Sequence, residues 1–352
     1  MNSADIFAKR LKNARLICGF SMDDLVSAMG NTVSKMAISK YEKGQIAPNS
    51  SVLISLSKAL NQPVDYFFRP FTLFIESVKF RKRKSNLSVK QEQSIRERVS
   101  DLVERYINIE EICNASVKFI SPFSQKISSK SQIKKAAEEL RKIWNIGTDG
   151  IVNVIELLED HGIKVLEIDA PASFDGLSSL VNDLYPVIIL NKNFCSERKR
   201  FTALHELGHL IFTFDDSVSE DEEEKMCHLF ASEMLILESV FKSIVDSSRH
   251  DISYQELRAI QMQYGISCDA LMYKAFNSGI ISENRKRYYF MNKNKNSLFR
   301  QRVEQSVYPN EVSSRFSRLV YKALSNEFIT VSKAAALLHQ SVEQVREDLA
   351  LV

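Results

Sequence analysis

Five consecutive residues, His205-Glu206-Leu207-Gly208-His209, constrain this chain more than any other feature of its sequence. Residues four apart on an α-helix share a face, so both imidazoles can point at one ion from adjacent turns. Glu206 then stands beside that ion, close enough to a water there to act as its base. With only 6 His in 352 residues, the pattern arises by chance in on the order of one such chain in a hundred, so it is read as a site. Phe201, Leu204, Leu207 and Leu210 recur around it at helical spacing, which predicts a helix with a buried face over 197–213.

Zinc held by three protein ligands keeps a fourth position open for chemistry. A third ligand must therefore come from elsewhere, and an acidic run at 215–224 leads into a second stretch of helical apolar spacing, expected as a helix over 221–237. Spacing alone does not choose among Glu220, Glu222, Glu223, Glu224 and His228. The remaining acids of the run fit a solvated helix N-terminus, where the macrodipole favours negative charge.

A chain of this length exceeds what one core organises, so two or three domains are expected. The Ser-rich stretch 121–131 is the natural place for a linker. Beyond it, helices are expected at 131–144 and 151–162, strands at 163–168 and 186–190, and one long helix over 253–276. The five cysteines are scattered, with no C-x-x-C pair, which fits a reducing compartment. No apolar stretch has the length of a signal peptide or a membrane span, so a cytoplasmic protein without a membrane partner is expected. The net charge of +3 hides an asymmetry: residues 1–84 hold 14 Lys and Arg against 6 Asp and Glu, a balance of +8. A polyanion partner or a basic solvated face both account for that, and the same holds for the basic run at 80–84.

The first 70 residues read as short helices with polar breaks: one from Ile6, one after Ser21, a turn at Gly30-Asn31-Thr32, and one after Ser34. These lengths suit a helix-turn-helix. Leu11-Lys-Asn-Ala-Arg15, Ser21-Met-Asp-Asp-Leu25, Ile38-Ser-Lys-Tyr-Glu-Lys-Gly44 and Pro48 resemble the phage-repressor-like XRE family. That resemblance implies a third helix in the major groove of a double-stranded DNA operator. Lys35, Met36, Ala37, Ser39 and Lys40 would lie near base edges or phosphates, Ile38 in the core, and Glu42 in a structural role. Met22 stands where the family often has a phosphate-contacting Gln. Half-sites read by such proteins lead to the expectation of a homodimer.

Residues 131–282 resemble the ImmA/IrrE metallopeptidase family, through Arg200-Phe-Thr-Ala-Leu-His-Glu-Leu-Gly-His209, the preceding Val187-Ile-Ile-Leu-Asn191 and the later Glu224-Lys-Met-Cys-His-Leu-Phe-Ala231. The resemblance implies a gluzincin-like fold with Zn2+ as cofactor, His205, His209 and Glu224 as metal ligands, and Glu206 as catalytic base. Cys227 and His228 depart from the family's Ala and Asn or Asp. It also suggests the strand at 187–190 as a substrate-pairing edge strand, although its apolar residues equally fit a core strand.

Together these readings imply a multidomain chain. It has an all-α helix-turn-helix domain at 1–70, a helical linker at 71–130, an α+β zincin-like metallopeptidase domain with a small sheet at 131–284, and a helical C-terminal region at 285–352. Its expected function is a transcriptional regulator with a zinc metalloendopeptidase domain that cleaves one protein substrate, a repressor or related regulator, in stress or mobile-element control. The rival reading is a non-proteolytic DNA-binding repressor or antitoxin whose metal-site domain senses or docks.

Overall fold

In a computed structural model, residues 3–71, 78–80, 88–246 and 249–350 are described; the basic run at 80–84 lies outside them, apart from the backbone of Phe80. The chain forms two units, the first from Met1–Val78, Lys84–Val117 and Ser314–Val352, the second from Lys79–Arg83 and Lys118–Ser313.

The first unit opens with α1 (Ser3–Ile17), α2 (Met22–Ala28), α3 (Lys35–Glu42) and α4 (Ser50–Ala59), followed by a 3-10 turn at Val64–Phe68. Local chemistry sets these boundaries. Ser21 and Asp24 form a capping box on α2, the Ser34 side chain accepts from the Ala37 N–H, and Asn49 accepts from Val52, each satisfying an otherwise orphaned helix donor. Gly30 and Asn31 take φ of +66° and 57°, left-handed values that suit a glycine and an asparagine and turn the chain between α2 and α3. Leu11, Leu25, Ile38 and Leu56 close the core.

After β1 (Val78–Phe80) comes α5 (Val89–Ile112), capped by Ser88 and Gln91. The second unit then runs β2 (Lys126–Ile127), α6 (Lys130–Ile143), α7 (Val154–Asp160), β3 (Lys164–Ile168), β4 (Gly176–Val181), β5 (Tyr185–Asn191), α8 (Ser196–Ile211), β6 (Thr213–Phe214) and α9 (Glu220–Leu235). It ends with α10 (Glu238–Val245), α11 (Tyr254–Tyr264), α12 (Cys268–Asn277), α13 (Glu283–Lys295) and α14 (Ser297–Glu304). Thereafter α15 (Arg315–Ser325), α16 (Val331–Leu338) and α17 (Val342–Ala350) return to the first unit, where Val320, Ala323, Leu337 and Val345 share a core with Ile109 of α5. The architecture is thus the expected one: a helical N-terminal domain, an α+β domain with small sheets, and a helical C-terminal region.

Four strands form one sheet in the order β1-β4-β5-β3. β3 pairs parallel with β5, and β4 pairs antiparallel with it, Ser178 opposite Ile188. Two expectations need correction, and one small pairing was not foreseen. β5, expected as a possible edge strand for substrate pairing, lies between β4 and β3 with Val187, Ile188, Ile189 and Leu190 fully buried; both its edges are taken, and it is a core strand. The single helix expected over 253–276 is broken at Gly265, whose φ of +61° ends α11 in a left-handed cap. Within the Ser-rich stretch 121–131, Lys126–Ile127 pairs parallel with Thr213–Phe214 as a second small sheet.

Candidate functional site

The residues of the H-E-x-x-H pattern sit on α8, whose inner face carries Ala203, Leu204, Leu207 and Ile211 into the core of the second unit. The helix is anchored well before the pattern begins. Arg200 is fully buried; its guanidinium pairs with Glu311 and donates to the carbonyls of Ile151, Tyr264 and Gly265, with the Tyr308 ring 4.2 Å from its carbon. One turn earlier, Glu197 accepts from Gln261, Ser306 and the backbone of Val307 and Tyr308. Burial alone would raise the Glu197 pKa, but these donors, Ser306 foremost, lower it, so the carboxylate stays ionised within the fold.

α9 packs across α8 at Gly208. A Cβ built on that glycine would meet Cys227 Sγ and Phe230 Cδ1 at 3.2 Å each, so its bare backbone is what lets the two helices approach. The approach brings Glu224 over the histidines. His205 Nε2 and His209 Nε2 are 3.2 Å apart, His205 Nε2 lies 3.2 Å from Glu224 Oε2, and His209 Nε2 lies 3.2 Å from Glu224 Oε1. Both imidazoles are buried and the carboxylate is half-exposed. Among the described residues, these three form the one group whose donor atoms converge in this way.

The donor set can be tested against a metal. Zinc bonds to nitrogen and oxygen of about 2.0–2.1 Å, arranged tetrahedrally, place neighbouring donors about 3.3 Å apart. The 3.2 Å between the two imidazole nitrogens matches that edge, and each nitrogen lies the same distance from one oxygen of the Glu224 carboxylate; two histidines and one carboxylate would leave a fourth corner open.

Of the other residues that spacing left open as third ligands, Glu222 belongs to the capping box of α9. It accepts from Ser219 N–H and Oγ, and those bonds lower its pKa. Glu220 is exposed in the same first turn. His228 is one turn beyond Glu224 on α9, its ring 4.3 Å from that of His205 and stacked on Phe201 at 5.8 Å. Its nitrogens do not join the convergent set. Glu206 is buried beside His205 and accepts a 2.8 Å bond from Ser178 Oγ. Ser178 of β4 is the residue that the sequence reading missed. The signal that could have found its strand is Asn182-Asp183, both at positive φ in the turn between β4 and β5, a composition typical of hairpins.

In the first unit, Lys35, Met36 and Lys40 of α3 are exposed, Met36 to 68%, while Ala37 and Ser39 are half-buried. Ile38 is fully buried in the core. Glu42 turns inward and binds Arg15 through two bonds of 2.6 and 2.9 Å. On the outward face of α3, the helix that follows the left-handed turn, Lys35 makes a surface contact of 2.6 Å with Asp23.

Two helices that bring two histidines and a glutamate together, able to hold a metal ion, fit a metallopeptidase-type domain, here on the same chain as a helix-turn-helix. The comparisons agree: residues 158–276 match the family profile described as IrrE N-terminal-like domain, and residues 11–67 match the one described as helix-turn-helix. The chain therefore joins an XRE-type helix-turn-helix to an IrrE/ImmA-like domain of a metallopeptidase family. No curated protein matches it. No helix among the described residues is long and apolar enough to cross a membrane.

Proposed function

We propose that the chain is an operator-binding regulator whose second unit is a zinc-dependent endopeptidase, restricted to a repressor or related regulatory protein in stress or mobile-element control. In this reading His205, His209 and Glu224 hold the ion. When bound, zinc supplies Lewis acidity, which makes a water more acidic and polarises a carbonyl. Glu206 takes the proton of the attacking water and later delivers it to the leaving amine. Ser178 fixes the orientation of that carboxylate from the strand side.

On the DNA side, Lys35, Met36, Ala37, Ser39 and Lys40 contact bases and phosphates of a double-stranded operator, in a homodimer that reads two half-sites. Coupling operator binding to proteolysis gives the peptidase a reason to be selective, since a regulator tethered to DNA has little use for general digestion.

The observation that carries the enzymatic part is the convergence of two imidazole nitrogens, 3.2 Å apart, on the two oxygens of the Glu224 carboxylate, 3.2 Å from one each, with the buried Glu206 carboxylate next to them. The test is a cleavage assay of zinc-loaded chain against helix-turn-helix repressors, beside Glu206→Gln. Cleavage of a repressor by the native chain and not by the variant supports the reading. A zinc-loaded native chain that cleaves none of them favours the rival in which the metal domain senses or docks.

A further inference from the structure

We propose that Cys227 is a positioning residue for the metal site: its sulfur accepts a hydrogen bond from Nδ1 of His209 and holds that ring with Nε2 turned to the ion. The inference rests on the metal reading above. Cys227 is fully buried, His209 nearly so, and Sγ lies 3.5 Å from Nδ1.

The direction of the bond follows from ligation. A neutral imidazole carries one N–H; a ring that offers Nε2 to a cation must keep its proton on Nδ1. That proton is buried, and a buried N–H without an acceptor is costly. The thiol sulfur, 3.5 Å away, stands in place to accept it. Were the thiol the donor instead, the ring proton would sit on Nε2, among the three converging atoms, and would block ligation.

The arrangement depends on two features outside Cys227 itself. Gly208 leaves the space that Sγ occupies, since a Cβ there would stand 3.2 Å from it. Residues 224 and 227 are also three apart on α9, hence on one face. A single helix therefore delivers both a ligand and the acceptor that orients another ligand. Any change in the register of α9 on α8 would move both together.

The test is the equilibrium zinc affinity of the full chain, measured by competition with a chromophoric chelator, for the native protein, Cys227→Ala and Cys227→Ser. Loss of an orienting partner weakens metal binding by about tenfold to a hundredfold. Cys227→Ala is expected to fall in that range and Cys227→Ser, whose hydroxyl also accepts, to recover most of the loss. Native affinity in Cys227→Ala overturns the proposal, and so does an equal loss in both variants, which would mean that the thiol only fills space.

Should Cys227→Ala fail to fold, nitrogen-15 NMR of the zinc-loaded native chain decides. A proton on Nδ1 of His209, protected from exchange, is expected, and a proton on Nε2 contradicts it. A native chain that binds no zinc would instead strike at the metal reading, and the role of Cys227 would fall with it.

Discussion

Glu206 is where the positioning and the proposed chemistry of the site meet, because it is buried, held by Ser178 at 2.8 Å, and next in sequence to His205. Replacing it by Gln keeps shape and hydrogen bonding but removes the base. Peptide hydrolysis is expected to drop by about 10²–10⁴-fold with zinc content unchanged, as single-turnover assays and metal analysis on the same sample would register. Loss of zinc along with activity would mean that Glu206 supports the ligands rather than the proton transfer. On α3 the corresponding residues are Lys35 and Lys40. The contact of Lys35 with Asp23 joins two exposed groups, contributes little in water, and yields readily to a phosphate. Each Lys→Ala change should weaken operator binding across sequences and reduce the slope of log affinity against log salt by roughly one. A salt slope identical to that of the native chain would remove that lysine from the interface.

At the scale of elements, α8 depends on a clamp that its own sequence does not reveal. Arg200 reaches Gly265, and a Cβ added at that glycine would lie 2.4 Å from the Arg200 Nε while φ stays at +61°. Gly265→Ala is therefore expected to destabilise the second unit by at least about 1–3 kcal/mol, visible as a lower denaturant midpoint; an unchanged midpoint would show that the clamp is slack. The helices over 197–213 and 221–237 were legible because apolar spacing is local, and they appear within two residues as Ser196–Ile211 and Glu220–Leu235. Gly265 itself was visible, yet the apolar period runs on through Ile266 and Leu271, which hid the break. β4 was missed because Gly-Leu-Ser-Ser-Leu-Val lacks a clean alternation, so Ser178 went unnoticed with it. The clamp joining Arg200 to Glu311 spans over a hundred residues of chain, and no periodicity reports a contact of that kind. The choice of Glu224 among its neighbours is of the same type: the first turn of α9 offers several carboxylates, and only packing at Gly208 decides which one faces the histidines.

Across the whole molecule, most of the second unit, Lys118–Ser313, lies between two segments of the first, Lys84–Val117 and Ser314–Val352, so the unit with the histidine pair is an insertion in the chain rather than an appendage. The returning helices complete a buried ionic network. Arg10 binds Glu104 through bonds of 2.8 and 2.7 Å, and Arg69 and Arg105 both bind Asp101, with His339 Nε2 3.5 Å away. Burial alone would raise the Asp101 pKa, but Arg105, His339 and Arg69 more than reverse this and hold it well below the usual carboxylate range. A depressed folded-state pKa contributes stability that is present above the unfolded value, about 3.9, and is lost as pH falls below it. The first unit should therefore lose stability below about pH 4. Asp101→Asn, which leaves buried guanidinium charge uncompensated, should cost about 3–5 kcal/mol at neutral pH and flatten that acid dependence; urea titrations at several pH values would check both. Equal acid slopes in the two proteins would contradict the assignment. The central claim, that two histidines and a glutamate from neighbouring helices hold one divalent ion, is tested most directly by native mass spectrometry of the full chain beside His205→Ala and Glu224→Ala. One zinc per native chain, none on His205→Ala and much weakened binding by Glu224→Ala are the predicted results; Glu224→Ala retaining zinc as tightly as the native chain would contradict the account.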